Sequence, residues 1–351
     1  MRPPAGGLVC RCMLAASMGG EGNTARGCGG LRAASPPWFG GVGVFNGRMN
    51  IRYYFSDLVL FFCSPLAYLY CIRKRKGEHG VKRLIALLLF LFLPACALAD
   101  LEVHFLDVGQ GDCTFIVCDG EAMVIDGGPR GASAYVYSYI RERLPQGCID
   151  YMISTHPHVD HVHGLASILN AAPVDLILTP VLEWNSKAFD KMLKYADAQG
   201  TPLVVPQEGD TLQLGGALVT ILHCWPEAID QGRTNDSSIV TRIDYGKTSF
   251  IITGDAEDWS EYMMIDSGMN LKADVLRVAH HGSNTASTLE FLQAVQPEYA
   301  VISVGKDNEY GHPHEAVLVR LKEVGSTVLR TDELGTIVMV SDGETVRVNT
   351  D

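Results

Sequence analysis

The stretch STHPHVDHVHGL, residues 154–165, places four histidines and one aspartate within eight consecutive positions. The run before it, DYMIST (150–155), is typical of a β-strand, and VHGLASILN (162–170) has the apolar spacing of a helix. The cluster therefore lies on a strand-to-helix loop. That position, with the spacing H-x-H-x-D-H, favours a metal site over a histidine-rich surface loop that binds nothing.

The spacing of the cluster suits two neighbouring metal positions. His156 and His158 are two residues apart, and in an extended segment such residues point the same way. Asp160 and His161 follow where the chain turns into a helix, so they can face a second position beside the first. Imidazole nitrogen and carboxylate oxygen suit zinc, and also manganese or iron. His163 breaks the pattern and is expected to support the loop or face solvent.

Further candidate ligands stand where other strands end. Asp255 follows the strand in IITGDAE (251–257), and a carboxylate there could bridge two metal ions. The alternative for Asp255 is a cap on the helix that follows. VLRVAHHGS (275–283) ends another strand in His280 and His281, of which one can face the site.

A second strand-end carboxylate is Asp126, in MVIDGG (123–128). It could hydrogen-bond to the histidine loop and orient it, as carboxylates do behind metal-bound histidines. The alternative is an ordinary Asp-Gly turn.

Charge divides the chain into two parts. The 351 residues carry a formal charge of −12, from 28 Lys+Arg and 40 Asp+Glu. Residues 1–99 hold 12 Lys+Arg against 3 Asp+Glu, a balance of +9, whereas residues 100–351 hold 16 against 37, a balance of −21. Proteins that follow a phosphate backbone generally need a basic groove, so this acidic balance disfavours DNA as a partner.

Residues 81–99, VKRLIALLLFLFLPACALA, have the layout of a secretory signal peptide. A basic start precedes ten apolar residues, and the segment ends in the small-residue pattern Ala-Leu-Ala. The apolar run is short for a membrane span. A secreted or cell-surface protein is therefore predicted, with a lipoprotein lipidated at Cys96 and an uncleaved membrane anchor as alternatives.

Residues 1–80 fit poorly ahead of a signal peptide. We interpret them as a translated upstream extension and predict that the native chain starts internally. The alternative is a membrane-proximal segment, with a span at 53–72 followed by the basic run RKRK at 73–76. No stable membrane span is expected in the mature form.

Export would place residues 100–351 in an oxidising compartment, where cysteines can pair. Four cysteines permit three pairing schemes, and none forms a C-x-x-C zinc motif. The alternative is that they are buried small apolar residues. They are Cys113, Cys118, Cys148 and Cys224.

Short apolar strands alternate with amphipathic helices through residues 100–351, and no repeat or linker divides them. One domain is therefore predicted. Two mixed β-sheets packed face to face, with helices outside, would account for the order of elements. Helices are expected at 132–144, 162–170, 186–199, 257–266, 286–294 and 314–324, and two closing strands are expected after the last of these.

The order H-x-H-x-D-H, strand-end Asp, strand-end His resembles the metallo-β-lactamase fold superfamily of binuclear metallohydrolases. Within it, the sequence is similar to the C-terminal hydrolase domain of ComEC-type competence proteins. The resemblance implies an α/β fold, a four-layer αββα sandwich of two mixed β-sheets flanked by helices over 100–351. It covers essentially all of residues 101–340 in eight segments: FLDVGQGDCTFIV, IDGG, THPHVDHVHGL, NDSSIVTRIDYG, ITGDAE, VLRVAHHGSNTAS, ISVGKDNEYGHP and RTDELGTI.

The resemblance implies two divalent metal ions, zinc or manganese. One ion would take the first two histidines of the motif, the other would take Asp160 and the last motif histidine, and Asp255 would bridge them. A histidine of HHGS would complete the second ion, with His281 favoured over His280. The implied ligands are His156, His158, Asp160, His161, Asp255, His280 and His281.

Roles outside the ligand set also follow from the resemblance. Many relatives have another histidine before the bridging Asp; His223 is the candidate, with Asn235 or Asp236 as the alternative. His312 and Asn308, in DNEYGHP, are expected to contact substrate. Their alternative is a proline-punctuated turn before a helix.

Catalytic roles are assigned to Asp160, which would orient the hydroxide, and to His312, which would stabilise an oxyanion or protonate the leaving group. The predicted function is a secreted hydrolase that cleaves phosphoester or phosphodiester bonds with a metal-activated hydroxide, in a small or exposed substrate. Two alternatives stay open. One is an extracellular DNA nuclease linked to DNA uptake, and the other is a catalytically silent, metal-stabilised binding module.

Overall fold

The computed structural model of the protein describes residues 100–349. The predicted upstream extension (1–80) and signal peptide (81–99) lie outside these residues, and both stay predictions. Within the described range, no helix has the length and apolar character needed to cross a membrane.

The described residues form strands and helices in alternation. The strands are β1 Leu101–Phe105, β2 Thr114–Cys118, β3 Glu121–Ile125, β4 Ile149–Ile153, β5 Val174–Leu178, β6 Leu203–Val204, β7 Thr211–Leu214, β8 Ala217–His223, β9 Val240–Tyr245, β10 Thr248–Ile252, β11 Val275–Arg277, β12 Tyr299–Ile302, β13 Thr327–Arg330, β14 Ile337–Ser341 and β15 Val346–Asn349. The helices are α1 Ser133–Arg143, α2 Val159–Val162, α3 Leu165–Ala171, α4 Lys187–Gln199, α5 Asp258–Ser267, α6 Leu289–Val295, α7 Glu315–Glu323 and α8 Thr331–Leu334.

These strands build two mixed β-sheets. The first has the order β15-β14-β1-β2-β3-β4-β5-β6, and the second has the order β13-β12-β11-β10-β9-β8-β7. In the first sheet β3, β4, β5 and β6 run parallel and the other pairs are antiparallel. In the second sheet β10, β11, β12 and β13 run parallel and the other pairs are antiparallel.

Three hydrophobic layers hold the sheets and helices together. Strand β2 shows why two of them form, because Phe115 packs against the helices outside the first sheet while Ile116 packs against the second sheet. A third layer joins the second sheet to helices α5 to α7, with Ile251 and Leu276 against Phe291. The layer order is therefore helix, sheet, sheet, helix, which confirms the predicted αββα sandwich.

The predicted helices occur within a few residues of their expected positions, but the end of the chain differs. Three strands follow α7 rather than two, because β13 adds to the second sheet beside β12. A four-residue strand shows too little periodicity to be recognised without its partner.

The four cysteines of the domain do not pair with one another. Cys113, Cys118 and Cys224 carry free thiols, and the first two are buried. None of the three pairing schemes therefore forms within the described residues, and these three cysteines behave as small, largely apolar side chains.

Parallel pairing brings the predicted site residues to one edge of the sandwich. Strands β3 and β4 of the first sheet, and β10, β11 and β12 of the second, each run parallel to a neighbour. The carboxyl ends of parallel neighbours lie at the same edge, so the loops that follow these strands meet there. The candidate ligands lie in these loops.

Two glycines allow the histidine loop to approach the end of β3 closely. A Cβ atom on Gly164 would lie 1.7 Å from the carbonyl oxygen of Gly127, so only glycine fits there. The Gly127 N–H donates to the carbonyl oxygen of His161 at 2.7 Å, and the Gly164 N–H donates to that of Gly128 at 3.0 Å. These contacts fix α2 beside the strand end that carries Asp126.

Candidate metal centre

Four ligand-type side chains meet where the loops after β4, β10 and β11 converge. Their nitrogen and oxygen atoms all lie within 4.8 Å of one another. Three of them are almost wholly buried, whereas Asp160 lies at the mouth of the site with 32% of its side chain exposed. We call Asp160, His161, Asp255 and His281 the four-donor group.

The spacing within the four-donor group matches a single metal ion. Nε2 of His161 lies 3.2 Å from Oδ2 of Asp255 and 3.8 Å from Oδ2 of Asp160. Nε2 of His281 lies 3.5 Å and 3.3 Å from the same two oxygens. A tetrahedral ion with bonds of about 2.0–2.1 Å separates its ligand atoms by roughly 3.3 Å. The residues present therefore fit an ion of the zinc type.

Both imidazoles of the group are held with Nε2 towards the site. Nδ1 of His161 lies 2.7 Å from Oδ2 of Asp126, and Nδ1 of His281 lies 2.9 Å from the carbonyl oxygen of Ser303. A carboxylate or carbonyl oxygen accepts, so each Nδ1 donates and Nε2 is the nitrogen left for a ligand. Both Nε2 atoms are buried without a hydrogen-bond partner in residues 100–349. A metal ion would satisfy them.

The electrostatics of the group favour a cation. Burial opposes ionisation of Asp255, but the facing His161 and His281 outweigh it, so the pKa of this carboxyl lies well below its usual range. Burial alone would lower the pKa of His161, but the surrounding carboxylates, led by Asp255, raise it well above its usual value. The carboxylates attract a proton to the point where a metal would bind, and a metal must displace it.

The first two histidines of the motif lie beside this group. Nε2 of His156 is 3.0 Å from Nδ1 of His158 and 3.9 Å from Oδ2 of Asp255. Burial, together with the neighbouring His161, lowers the pKa of His156 well below its usual value, and a neutral imidazole is the form that binds metal. Oδ2 of Asp255 thus faces His156 as well as His161 and His281, which is the position that a bridging ligand would take.

The two histidines of HHGS face different partners. Both have left-handed backbone, with φ of 49° for His280 and 54° for His281, a costly conformation that is concentrated at functional sites. Nδ1 of His280 lies 3.1 Å from Oε1 of Glu257, and its Nε2 lies 3.9 Å from Oδ2 of Asp255. His281 belongs to the four-donor group, whereas His280 lies at its edge with 24% of its side chain exposed.

The structure distinguishes the three candidates for the ligand that precedes Asp255 in the sequence, which are His223, Asn235 and Asp236. Both ring nitrogens of His223 are engaged, Nδ1 3.1 Å from Glu208 and Nε2 3.2 Å from the carbonyl oxygen of Asp236. The buried carboxylate of Asp236 accepts from the backbone N–H of Glu257 at 3.1 Å, so it supports the start of α5. Asn235 alone among the three lines the cleft over the metal centre, and its Oδ1 is buried without a partner in the described range.

His312 faces the same cleft from the loop after β12. Its ring centroid lies 5.7 Å from that of His280, and burial with the neighbouring His280 and His281 lowers the pKa of His312 to about 4. Asn308 lies behind it: its amide donates to the His312 carbonyl oxygen at 2.7 Å and accepts from the His312 N–H at 3.0 Å. Asn308 therefore shapes the loop that presents His312 and does not line the cleft.

An open cleft of about 330 Å³ gives access to the metal centre. Its floor is formed by metal-centre residues, and its walls include Trp184 and the exposed Val159 and Tyr310. The Tyr310 ring stacks on His312, with centroids 5.7 Å apart and planes inclined by 26°. No Lys or Arg of the described residues lines this cleft.

Sequence motifs do not reveal several residues of this site. Trp184 lies outside the segments that carry the resemblance, and Tyr310 and Glu257 lie within such segments but are not residue types that indicate a metal ligand at those positions. Arg277 carries the one available signal, a charge inside the apolar strand VLRVA, because a buried charge needs a partner. That partner, Asp112, is in the GQGD turn and could not be identified from sequence.

The site and fold agree with a comparison against known families. The family model of the Metallo-beta-lactamase superfamily matches residues 106–306. Since this is more than half of the chain, the protein belongs to that superfamily. The predicted family is thereby confirmed.

Similarity to curated proteins points to competence and recombination proteins. The chain is 32% identical over 302 residues to ComE operon protein 3 of Bacillus subtilis, covering 80% of this chain and 38% of that protein. It is 32% identical over 239 residues to Recombination protein 2 of Haemophilus influenzae, covering 67% of this chain and 28% of that protein. The chain thus spans well under half the length of these relatives.

Among solved structures, the metallo-beta-lactamase fold protein YhfI from Bacillus subtilis is similar. The two sequences are 13% identical, and the match covers 69% of this chain and all of YhfI with a TM-score of 0.48.

Proposed function

We propose that this protein is an exported binuclear metal-dependent hydrolase that cleaves phosphodiester bonds in a small or exposed substrate. The observation that carries the proposal is the four-donor group, whose two buried Nε2 atoms have no other partner in the described residues. The pair His156 and His158 beside it would supply the second metal position, with Asp255 between the two.

Two divalent ions held by these residues would supply an acidified water molecule and would neutralise charge on a phosphoryl oxygen. The protein's own side chains provide the rest. Asp160 lies at the mouth of the site, so one of its oxygens can accept a hydrogen bond from a nucleophile. His312 faces the cleft from the opposite loop, where it can contact the phosphoryl oxygen or the leaving group.

The cleft supports a small substrate rather than a long polyanion. Proteins that track a phosphate backbone use Lys and Arg, and none of the described residues that line this cleft is basic. Its aromatic and apolar rim, Val159, Trp184 and Tyr310, would instead contact an apolar or planar substituent next to the scissile phosphate.

A nuclease acting on DNA is the second candidate. The observation that favours it is the naming of the relatives, which are a ComE operon protein and a recombination protein. The end of a single DNA strand could enter the cleft without any contact between the protein and the rest of the DNA backbone. A metal-stabilised binding module is the outcome if no bond is cleaved.

The test uses the full chain with manganese or zinc, on bis-p-nitrophenyl phosphate and on single-stranded DNA. The Asp255→Asn variant serves as the inactive form, and Asp197→Asn, an exposed change on α4, is the matched control. Turnover of the diester with DNA intact, lost only in Asp255→Asn, supports the proposal. Cleavage of DNA promotes the nuclease. Metal binding with neither activity contradicts both in favour of the binding module.

Export is a separate part of the proposal and has its own test. The predicted signal peptide implies that the mature protein begins at Asp100. N-terminal sequencing of secreted material should give that start. Retention of residues 1–80 would contradict it.

A further inference from the structure

Arg277, the last residue of β11, is completely buried between the two sheets of the sandwich. Strands β10 and β12 flank β11 on either side, so the guanidinium cannot reach solvent along the sheet. Burying a charge of this kind costs several kcal/mol unless partners compensate for it. The partners of Arg277 therefore indicate what the charge does.

Every polar contact of the Arg277 guanidinium is with the metal centre or with residues that support it. Its Nε lies 2.9 Å from Oδ2 of Asp112, which is also completely buried. One terminal nitrogen donates to the carbonyl oxygen of Gly254 and lies 3.6 Å from Oδ1 of Asp255. The other lies 3.3 Å from Nδ1 of His281, which donates to Ser303 and so contacts the guanidinium without accepting from it.

The two carboxylate oxygens of Asp255 consequently face different surroundings. Oδ1 is buried without a hydrogen-bond partner in residues 100–349 and faces the guanidinium charge at 3.6 Å, whereas Oδ2 lies 3.2 Å from Nε2 of His161 and 3.5 Å from Nε2 of His281. A carboxylate that was free to rotate could offer both oxygens to one ion. With Oδ1 attracted to Arg277, only Oδ2 is directed to the metals.

We propose that Arg277, held by Asp112, is a positioning residue that makes Asp255 a one-oxygen bridging ligand. This inference rests on the proposed function in so far as the site binds metal. Asp112 also supports the backbone of Asp160, the other carboxylate of the four-donor group, because the Asp112 N–H donates to the Asp160 carbonyl oxygen at 3.3 Å. The pair thus joins the first sheet to the second directly beneath both carboxylate ligands.

The shape of the side chain explains why arginine is needed. The planar guanidinium holds its donors in a fixed arrangement, so Nε can contact Asp112 while one terminal nitrogen faces both Gly254 and Asp255. A lysine ammonium is a single point charge on a flexible stem and could not hold the same three groups. Arg277→Lys therefore keeps the charge and loses the positioning.

A purely structural ion pair is the alternative, and the chain offers a matched control for it. Arg242 on β9 of the same sheet is nearly buried and binds Asp244 through two hydrogen bonds of 2.8 Å and 2.6 Å. Neither residue contacts a member of the four-donor group in the described structure. Removal of this pair, together with the hydrogen bond that Arg242 donates to the carbonyl oxygen of Lys272, reports the cost of losing a nearly buried ion pair away from the metal centre.

The experiment measures Mn²⁺ binding to the full chain by equilibrium dialysis and records the electron paramagnetic resonance of the bound ions. The double variant Asp112→Asn/Arg277→Gln removes both charges and so leaves neither one buried and unpaired. We expect its affinity for the more tightly bound of the two Mn²⁺ ions to fall about 10–100-fold. Removal of a residue that hydrogen-bonds to a metal ligand typically has an effect of this size. The spectrum of coupled ions should change as well.

The control Arg242→Gln/Asp244→Asn should keep wild-type affinity even where its melting temperature falls. Arg277→Lys should lose affinity like the double variant, and it decides the outcome if the double variant does not fold. Wild-type affinity and an unchanged spectrum in a folded Asp112/Arg277 variant would overturn the inference. A wild-type protein that binds no Mn²⁺ would instead contradict the proposed function.

Discussion

Nδ1 of His161 lies 2.7 Å from Oδ2 of Asp126, and both side chains are completely buried. The same carboxylate accepts from the N–H and hydroxyl of Thr155, at 2.8 Å and 2.6 Å. Asp126 therefore connects the end of β3 to both ends of the strand-to-helix loop. It fixes the imidazole that stands at the centre of the four-donor group.

Replacing Asp126 should weaken the metal centre without touching a ligand. In Asp126→Ala the His161 ring loses its partner, and we expect metal affinity to fall about 10–100-fold. Asp126→Asn should be milder, because it keeps one oxygen and tolerates the left-handed backbone at φ 60°. Equilibrium dialysis with Mn²⁺ checks both. A folded Asp126→Ala protein with wild-type affinity would show that this hydrogen bond does not hold the ligand.

The two metal positions should differ in affinity. The four-donor group already has four ligand atoms in place. The position beside His156 and His158 has only Asp255 as a further ligand, because His223 is engaged elsewhere. We expect Mn²⁺ to bind in two steps that differ at least about tenfold. His281→Ala should abolish the tight step and His158→Ala the weak one. Two equal steps, or loss of the same step in both variants, would contradict this assignment.

Stability should depend on pH through Glu261, a buried carboxyl on α5 that is not a member of the four-donor group. Burial raises the pKa of Glu261 to about 7 although it accepts from the N–H of Thr288 at 2.8 Å. Between pH 4.5 and 7 the unfolded chain has lost this proton while the folded protein keeps it. The group's contribution is therefore fully present below pH 4.5 and falls by about 3 kcal/mol as pH rises to 7.

Urea unfolding in EDTA at several pH values checks this sign, with Glu261→Gln as the variant that cannot titrate. The free energy of unfolding of the wild type relative to the variant should decline from pH 4.5 to 7 and then level. Parallel curves would show that Glu261 titrates normally in the folded protein.

The aromatic rim should govern substrate affinity rather than the chemical step. Tyr310→Ala removes an exposed ring at the cleft mouth, so KM for bis-p-nitrophenyl phosphate should rise roughly three- to tenfold with kcat little changed. Methyl p-nitrophenyl phosphate, with one ring fewer, should show a smaller effect. Tyr262→Ala, an exposed tyrosine away from the cleft, is the control. An equal rise in KM for both substrates would show that Tyr310 does not contact the second ring of the substrate.

The H-x-H-x-D-H motif and the order of the strand-end ligands after it predict the fold and the centre of the site. This works because ligands at strand ends are brought together by the order of the strands and helices alone. The choice between His280 and His281 needed the structure. Both residues adopt left-handed backbone, which turns successive side chains in directions that no strand or helix period predicts. His281 reaches Asp160, and His280 reaches Glu257.

The contacts beneath the site were also beyond sequence. Asp112 lies in the turn between β1 and β2 of the first sheet and Arg277 ends β11 of the second, so their 2.9 Å approach depends on how the sheets are stacked. The same holds for His223, whose strand end looked suitable but whose ring is taken up by Glu208 and a carbonyl oxygen. Local patterns report periodicity and spacing, whereas these pairings follow from packing between layers.

The most direct test of the metal centre is an anomalous difference map from crystals of the full chain grown with Mn²⁺. We predict a strong peak within bonding distance of Asp160, His161, Asp255 and His281, and a second beside His156 and His158. Crystals with Mn²⁺ in excess and no peak inside the four-donor group would contradict the account.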